Sequence, residues 1–444
     1  MNSQRGDNMR AGMSRRDAVG AAISAASITA YSSLFAEGPV SPGAESGEIP
    51  ITGQAHPGLQ PFDLMMTEFV RTHRVPGATL AVSRNSDVVY ARGFGFADVE
   101  SKRPVQPDSL FRIASVSKPI TAVAVLQLMR ELKGGLDRRV FDVLPAADWL
   151  PLNHDKRLST ITIRQLLQHT GGWDRDKSFD PIGRPHQIAE FAKHPLPVGP
   201  DDVVRFTLTL PLDFDPGTRY AYSNTGYLLL GRLIEHLGKQ RYEDYVQQHV
   251  LKPAGVTQMQ LGRSSKQELA KNEVHYYDSK HREGPAVNGP QLGIIVPLVY
   301  GGENFEAFEA HGGWIGSAID LVKFASSFDH PASSKLLKPN EIATMWGRPA
   351  GLAGKAANGK PRDVYYGCGW DVRPVKNGKN GKSANTWHNG MIAGTSALLV
   401  RRHDGLNWAA LFNTDSDHED KVLSGLIDPL IHQAADSVLK WPTS

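Results

Sequence analysis

Apolar and polar positions divide the chain into two strand-bearing ends and a helical middle. In Pro61–His73 the apolar residues Phe62, Leu64, Met65, Phe69 and Val70 recur at helical spacing, which predicts a helix. Ala78–Ser83 and Val88–Gly93 are apolar, β-branched runs joined by Arg84-Asn85-Ser86-Asp87, turn chemistry that predicts a hairpin. Phe111-Arg112-Ile113-Ala114 reads as a strand. It leads into Pro119–Leu132, a strongly apolar helical run carrying Ile120, Val123, Val125, Leu126, Leu128 and Met129. From about residue 135 to about residue 285 helices and loops prevail, as at Ile163–Gln168, Tyr227–Leu237 and Tyr242–Leu251. Strand signals return at Val364–Val372 and Asn385–His388. These flank the basic run Lys376–Lys382, whose two Asn-Gly steps predict a solvated hairpin tip. Thr395–Arg401 and Asn407–Phe412 form a further hairpin around His403-Asp404-Gly405, and a last helix covers Lys421–Leu439. An α+β fold follows, with both ends of the chain in one antiparallel sheet flanked by helices. The helical block forms a second, all-α lobe, and a groove between the lobes is the expected site.

The amino-terminal region breaks this pattern. Ser14-Arg15-Arg16-Asp17 precedes a short run of small apolar residues, Ala18–Ala30, and a cleavage-like Leu34-Phe35-Ala36. Residues 1–36 are therefore expected to be an export signal, with paired arginines like those of twin-arginine signals, and the product to be periplasmic or secreted. The run is too short for a membrane span, so no stable membrane insertion is expected once the signal is removed. Residues 37–56, rich in Pro, Gly, Ser and Glu, read as a flexible linker, and residues 57–440 as one domain.

Composition narrows the classes. The 444 residues are 40% hydrophobic and 21% charged, as in a soluble globular protein with a sizeable core. A net charge of +3 gives no reason to expect a nucleic-acid partner. The single cysteine, Cys368, rules out an intramolecular disulfide and a cysteine-based metal site. Tyr366-Gly367-Cys368-Gly369-Trp370 reads as a strand, with the cysteine as a small buried apolar residue. There is no His-Glu-x-x-His, no Gly-x-Ser-x-Gly elbow and no complete dinucleotide fingerprint; Asp415–Asp420 reads as a solvated acidic loop, and neither metal nor cofactor is expected.

Three short elements carry chemistry. In Ser115-Val116-Ser117-Lys118 a serine opens an apolar helix and a lysine follows one turn later on the same face. A desolvated lysine has a lowered pKa and can take the serine proton. Ser437-Val438-Leu439-Lys440 repeats the spacing on a terminal helix, where nothing assists it. Tyr222-Ser223-Asn224 supplies a phenol able to relay a proton, with its phenolate favoured beside a cationic lysine, and an amide able to hold a substrate carbonyl. His388-Asn389-Gly390 precedes Met391 and a strand. The glycine permits close approach, and the next N–H can share an oxyanion hole with that of Ser115. His56-Pro57-Gly58, His169-Thr170-Gly171 and His311-Gly312-Gly313 also fit His-x-Gly, and each element taken singly also fits a structural role.

Taken in order, Ser-x-x-Lys, Tyr-x-Asn and His-x-Gly resemble the class C β-lactamase family, which also holds DD-peptidases and esterases of the same fold. Val75-Pro76-Gly77, Phe111–Ser115, Leu166–Gly172, Tyr222–Tyr227 and Gly312-Gly313-Trp314 look like further landmarks, and the resemblance runs from about Pro61 to Asp436. It implies the β-lactamase/transpeptidase-like fold and an acyl-enzyme mechanism without metal. By position, Ser115 would be the nucleophile, with Lys118 and Tyr222 sharing the base role. Asn224 and His388 would orient substrate, and the N–H groups of Ser115 and Met391 would bind the oxyanion.

One departure bears on substrate. β-Lactamases of this type carry lysine where this chain has His388, and a mostly neutral imidazole attracts a β-lactam carboxylate less. That favours an esterase or D-amino peptidase acting on a small ester, peptide or amide over a β-lactamase. A binding protein that keeps the fold without activity is the alternative of another class. The loop Gly171–Asp180 is expected to border the groove, with Trp173 and Trp314 either walling it or packing locally.

Overall fold

The computed structural model describes residues 48–375 and 383–442. The expected export signal, most of the linker and the basic hairpin tip Lys376–Lys382 lie outside the described residues. From Ile49 onward the chain forms one compact unit. It opens with an edge strand β1 (Ile51–Thr52), helix α1 (Gln60–Thr72) and the hairpin strands β2 (Gly77–Arg84) and β3 (Asp87–Asp98). A 3-10 turn over Ala114–Val116 leads into α2 (Ser117–Met129). The helical stretch that follows contains α3 (Ile163–Leu167) and α4 (Asn224–Gly238). Helix α5 (Ala318–Ser326) returns the chain to strands β4 (Tyr365–Tyr366), β5 (Asp371–Pro374), β6 (Ala384–Ile392), β7 (Thr395–Arg401) and β8 (Leu406–Phe412), and α6 (Leu423–Asp436) comes last.

The strands form one antiparallel sheet in the order β1-β3-β2-β8-β7-β6-β5-β4, with a short ninth strand, Arg103–Pro104, paired to β3. Amino- and carboxyl-terminal segments meet where β8 pairs with β2, Trp408 opposite Val82 and Leu411 opposite Thr79. The two-residue turn of the first hairpin places Asn85 and Ser86 at φ values of 50° and 75°, a conformation that matches the twist of the strands.

β7 and β8 are buried along their whole length because both faces of the sheet are covered. Leu80, Val82, Leu398, Val400 and Trp408 face α1 and α6, meeting Phe62, Met66, Ile427 and Ile431. The alternating residues Ala81, Ala397, Leu399, Ala409 and Leu411 face the other way, toward Leu321 and Phe324 of α5 and Val123 of α2. Alanines on that face let α5 lie close to β2 and β8. Helix α2 is buried from Ser117 through Leu126, which accounts for a sequence apolar almost all round. It joins the sheet layer to α4 and the helical lobe in one continuous core.

The structure departs from the sequence reading at four points. The linker's end is structured, since Ile51 and Thr52 pair with Phe94 and Gly93. Two short strands, Gln260–Leu261 and Glu283–Pro285, lie inside the block expected to be free of sheet. The segment around Cys368 is a bend between β4 and β5, because Gly369 takes φ +82° where a Cβ would lie 2.8 Å from that of Ala122. Asp415 and Asp417 are buried, not solvated: Asp415 pairs with Arg282 at 3.1 Å and Asp417 with His73 at 2.9 Å.

Candidate active site

Ser115 sits where strand Phe111–Arg112 runs into α2, and its surroundings hold it firmly. That strand pairs with Trp314–Gly316, and the Ile113 N–H donates to the Trp314 carbonyl at 3.0 Å. Buried Arg112 donates to the carbonyls of Val299 at 2.8 Å and Arg263 at 2.7 Å, bracing the approach. Ala114, just before the serine, takes φ +46°, left-handed backbone strained for a residue with a Cβ. Ser117 Oγ donates to the Ala114 carbonyl at 2.7 Å and ties down the turn.

One helical turn on, Lys118 is fully buried. Its Nζ lies 3.0 Å from Ser115 Oγ, 2.9 Å from Asn224 Oδ1 and 2.7 Å from the His311 carbonyl. Burial, and next the nearby Arg175 charge, hold its pKa well below the ordinary lysine value. A neutral amine has two N–H bonds. In that form the amide oxygen and the carbonyl can take both, which leaves the lone pair toward the serine. The Tyr222 hydroxyl donates to Ser115 Oγ at 2.7 Å. Its ring is flanked by His169, with centroids 4.3 Å apart, and by the Arg175 guanidinium at 4.5 Å. Burial raises the Tyr222 pKa, so the phenol keeps its proton, against the phenolate expected from sequence.

Asn224 is the first residue of α4, whose start is capped by the Ser223 side chain accepting from Gly226 N–H. Its Nδ2 donates to Asp180 Oδ2 at 2.7 Å, so the amide is tied to the loop on one side and to Lys118 on the other. Burial raises the Asp180 pKa. The loop Gly171–Asp180 thus closes on the site through Arg175 and Asp180, as expected. Trp314 does not wall the groove, being fully buried with its indole N–H on the Tyr242 hydroxyl at 2.9 Å, and Trp173 is buried as well.

His388, on β6, is 3% exposed and has both ring nitrogens engaged. Nδ1 faces the Asn389 carbonyl at 2.7 Å and carries the proton, so Nε2, 2.8 Å from the Tyr366 hydroxyl, accepts from it. Burial pushes its pKa down to about 3. Its expected direct hold on substrate is therefore corrected to a support beneath the site, with Tyr366 as its partner. Gly390 is where β6 presses on the nucleophile's turn: a Cβ there would lie 2.2 Å from the Ile113 carbonyl oxygen. Met391 follows on the same strand and is 52% exposed.

Two of the His-x-Gly segments set aside on sequence grounds belong to the site. His169 packs on Tyr222 and Tyr366 and accepts the Ser223 N–H at 3.2 Å, and the His311 carbonyl anchors Lys118. Sequence reasoning also missed Arg175, Asp180 and Tyr366. The segments Leu166–Gly172 and Gly312-Gly313-Trp314 stood out as landmarks, and that was the available signal for His169 and His311. Among the described residues one triad of potential metal ligands, Asp98, Glu100 and His275, gathers within 4.8 Å, and it includes no residue of this site.

The Beta-lactamase family model matches residues 62–428. The chain belongs to the Beta-lactamase family. Its fold is the β-lactamase/transpeptidase-like fold, and the family is one of serine hydrolases. Among members of this family, Protein flp of Staphylococcus aureus (strain MW2) is 31% identical over 377 residues, 84% of this chain and 66% of that protein. The chain thus spans just under two thirds of that relative's length. Penicillin-binding protein 4* of Bacillus subtilis (strain 168) is 26% identical over 82% of this chain and 74% of its own. The solved structure of EstCE1, a hydrolase with promiscuous acyltransferase activity, shares the fold with a TM-score of 0.63 at 22% identity, covering 85% of this chain and 98% of that one.

Proposed function

We propose that this protein is a serine hydrolase that cleaves ester or amide bonds of small substrates through an acyl-enzyme on Ser115, as a carboxylesterase or D-amino peptidase does. The observation that carries the reading is the placement of Ser115 Oγ between the Lys118 amine, with Nζ at 3.0 Å, and the Tyr222 hydroxyl at 2.7 Å. Lys118 takes the serine proton as Oγ attacks the carbonyl carbon. The oxyanion is held by the N–H groups of Ser115 and Met391, whose turn and strand are brought together by the bare Gly390. As the intermediate collapses, Tyr222 gives its proton to the departing alcohol or amine and is reprotonated from Lys118. Water then attacks the acyl-enzyme with the same pair returning the proton to Ser115. Asn224 holds Lys118 in place and presents its amide edge to the substrate.

A neutral, buried His388 offers no charge to a β-lactam carboxylate, which supports an esterase or peptidase over a β-lactamase. The intact contacts among Ser115, Lys118 and Tyr222 oppose the reading as an inactive binding protein. The amino-terminal pattern supports an exported enzyme. The test is hydrolysis of p-nitrophenyl butyrate by the protein and by Ser115→Ala: activity must fall to background in the variant while circular dichroism is unchanged. Equal activity in both overturns the assignment.

A further inference from the structure

We propose that Arg175 is the residue through which this site selects substrates bearing a carboxylate, the charge lying on the part of the substrate that rests against the Gly171–Asp180 loop. The inference rests on the hydrolase reading above and adds to it a specificity-determining residue.

A groove that prefers an anionic substrate needs a cation that faces it and is not already neutralised. Lys118 is sealed in the core with three acceptor oxygens around it, and its part in the reaction requires the uncharged form. Arg112 is buried and committed to two backbone carbonyls. His388 is buried with both nitrogens occupied. Arg219, nearby in sequence to Tyr222, is held by Asp174 at 2.7 Å. Arg175 differs from all of these. It is exposed, its guanidinium stands 4.5 Å over the Tyr222 ring, and among the described residues it forms neither an ion pair nor a side-chain hydrogen bond. In the same loop, Asp180 directs its carboxyl to Asn224 and Asp174 is paired with Arg219.

The guanidinium, 4.5 Å over the Tyr222 ring, places a planar N–H fork beside the reacting residue. A planar fork of that kind matches a carboxylate in two parallel hydrogen bonds. Because Arg175 rides on the loop and not on β6, charge recognition in this protein comes from the helical side of the groove. The Arg175 charge also bears on Lys118, Tyr222 and Asp180. Its removal therefore affects every substrate to some extent, and the informative quantity is a ratio.

The experiment compares p-nitrophenyl butyrate with mono-p-nitrophenyl glutarate, the same acyl chain ended by a carboxylate, in wild type, Arg175→Gln, Arg175→Lys and the loop control Lys177→Gln. Wild type is expected to favour the glutarate ester in kcat/KM, with the preference shrinking as salt is added. Arg175→Gln lowers the glutarate-to-butyrate ratio about tenfold or more, mostly through KM, whereas Arg175→Lys keeps part of it and Lys177→Gln all of it. A wild type without preference, or a ratio unchanged in Arg175→Gln, overturns the proposal and leaves the hydrolase reading standing. A wild type that hydrolyses neither ester overturns both.

Discussion

Lys118 Nζ stands 3.0 Å from Ser115 Oγ and 2.7 Å from the carbonyl of His311, a residue 193 positions away in the chain. The base of the proposed reaction is thus fixed by a backbone oxygen of the short helix Glu309–Gly312. Replacing Lys118 by methionine keeps the length of the side chain and removes the base. Hydrolysis of p-nitrophenyl butyrate is expected to fall by about 10²–10⁴-fold in kcat, the usual contribution of a positioned general base, with circular dichroism unchanged.

The same contact sets the pH dependence. A base must be deprotonated to act, so activity is lost as pH falls through the pKa of Lys118. Burial and Arg175 hold that pKa well below the ordinary value of about 10.4, so the acidic limb of kcat/KM against pH is expected well below that value. A limb near the ordinary lysine range would show that Lys118 is charged in the resting enzyme.

Gly390 gives a purely steric prediction. A methyl group there meets the Ile113 carbonyl oxygen at 2.2 Å, so Gly390→Ala must push β6 away from the turn that carries Ser115. The two proposed oxyanion donors then separate, and kcat is expected to drop about 10²–10³-fold, the scale of losing one such donor, with KM changing far less. Steady-state kinetics on the ester series checks it.

Much of this was legible in the sequence because it depends on local pattern. The hairpin at Asn85-Ser86, the fully apolar α2 and the pairing of the chain's two ends all follow from residue periodicity and turn chemistry. Ser115 and Lys118 are legible from spacing, since residues three apart on a helix share a face, and Tyr222 and Asn224 from the Tyr-x-Asn element that follows in order. What was not legible depends on long-range packing. Nothing near His388 in sequence announces Tyr366, which takes its Nε2 and makes the imidazole a buried support. Nor does Arg175 announce that its loop will fold it over Tyr222, 47 residues further on. The aspartates at 415 and 417 looked solvated because their partners, Arg282 and His73, lie far away in the chain.

Three buried histidines around the site predict acid lability. His169, His311 and His388 are all held neutral, their pKa values below the ordinary 6.5 because burial disfavours the cation. Unfolding releases them to protonate near 6.5, so the unfolded state binds more protons as pH drops below that value and stability falls with it. For His388 the window runs from about 6.5 down to about 3. Urea midpoints are expected to be flat above pH 7 with respect to these groups and to decline below pH 6.5. His388→Gln should reduce the slope by up to one proton, read as the pH dependence of unfolding free energy.

The claim on which the rest depends is that Ser115 is the nucleophile. The direct measurement is mass spectrometry of the protein after treatment with a fluorophosphonate, comparing wild type, Ser115→Ala and Lys118→Met. One adduct is expected, located on the peptide containing Ser115, absent from Ser115→Ala and formed much more slowly in Lys118→Met. An adduct on another residue, or equal labelling of Ser115→Ala, would contradict it.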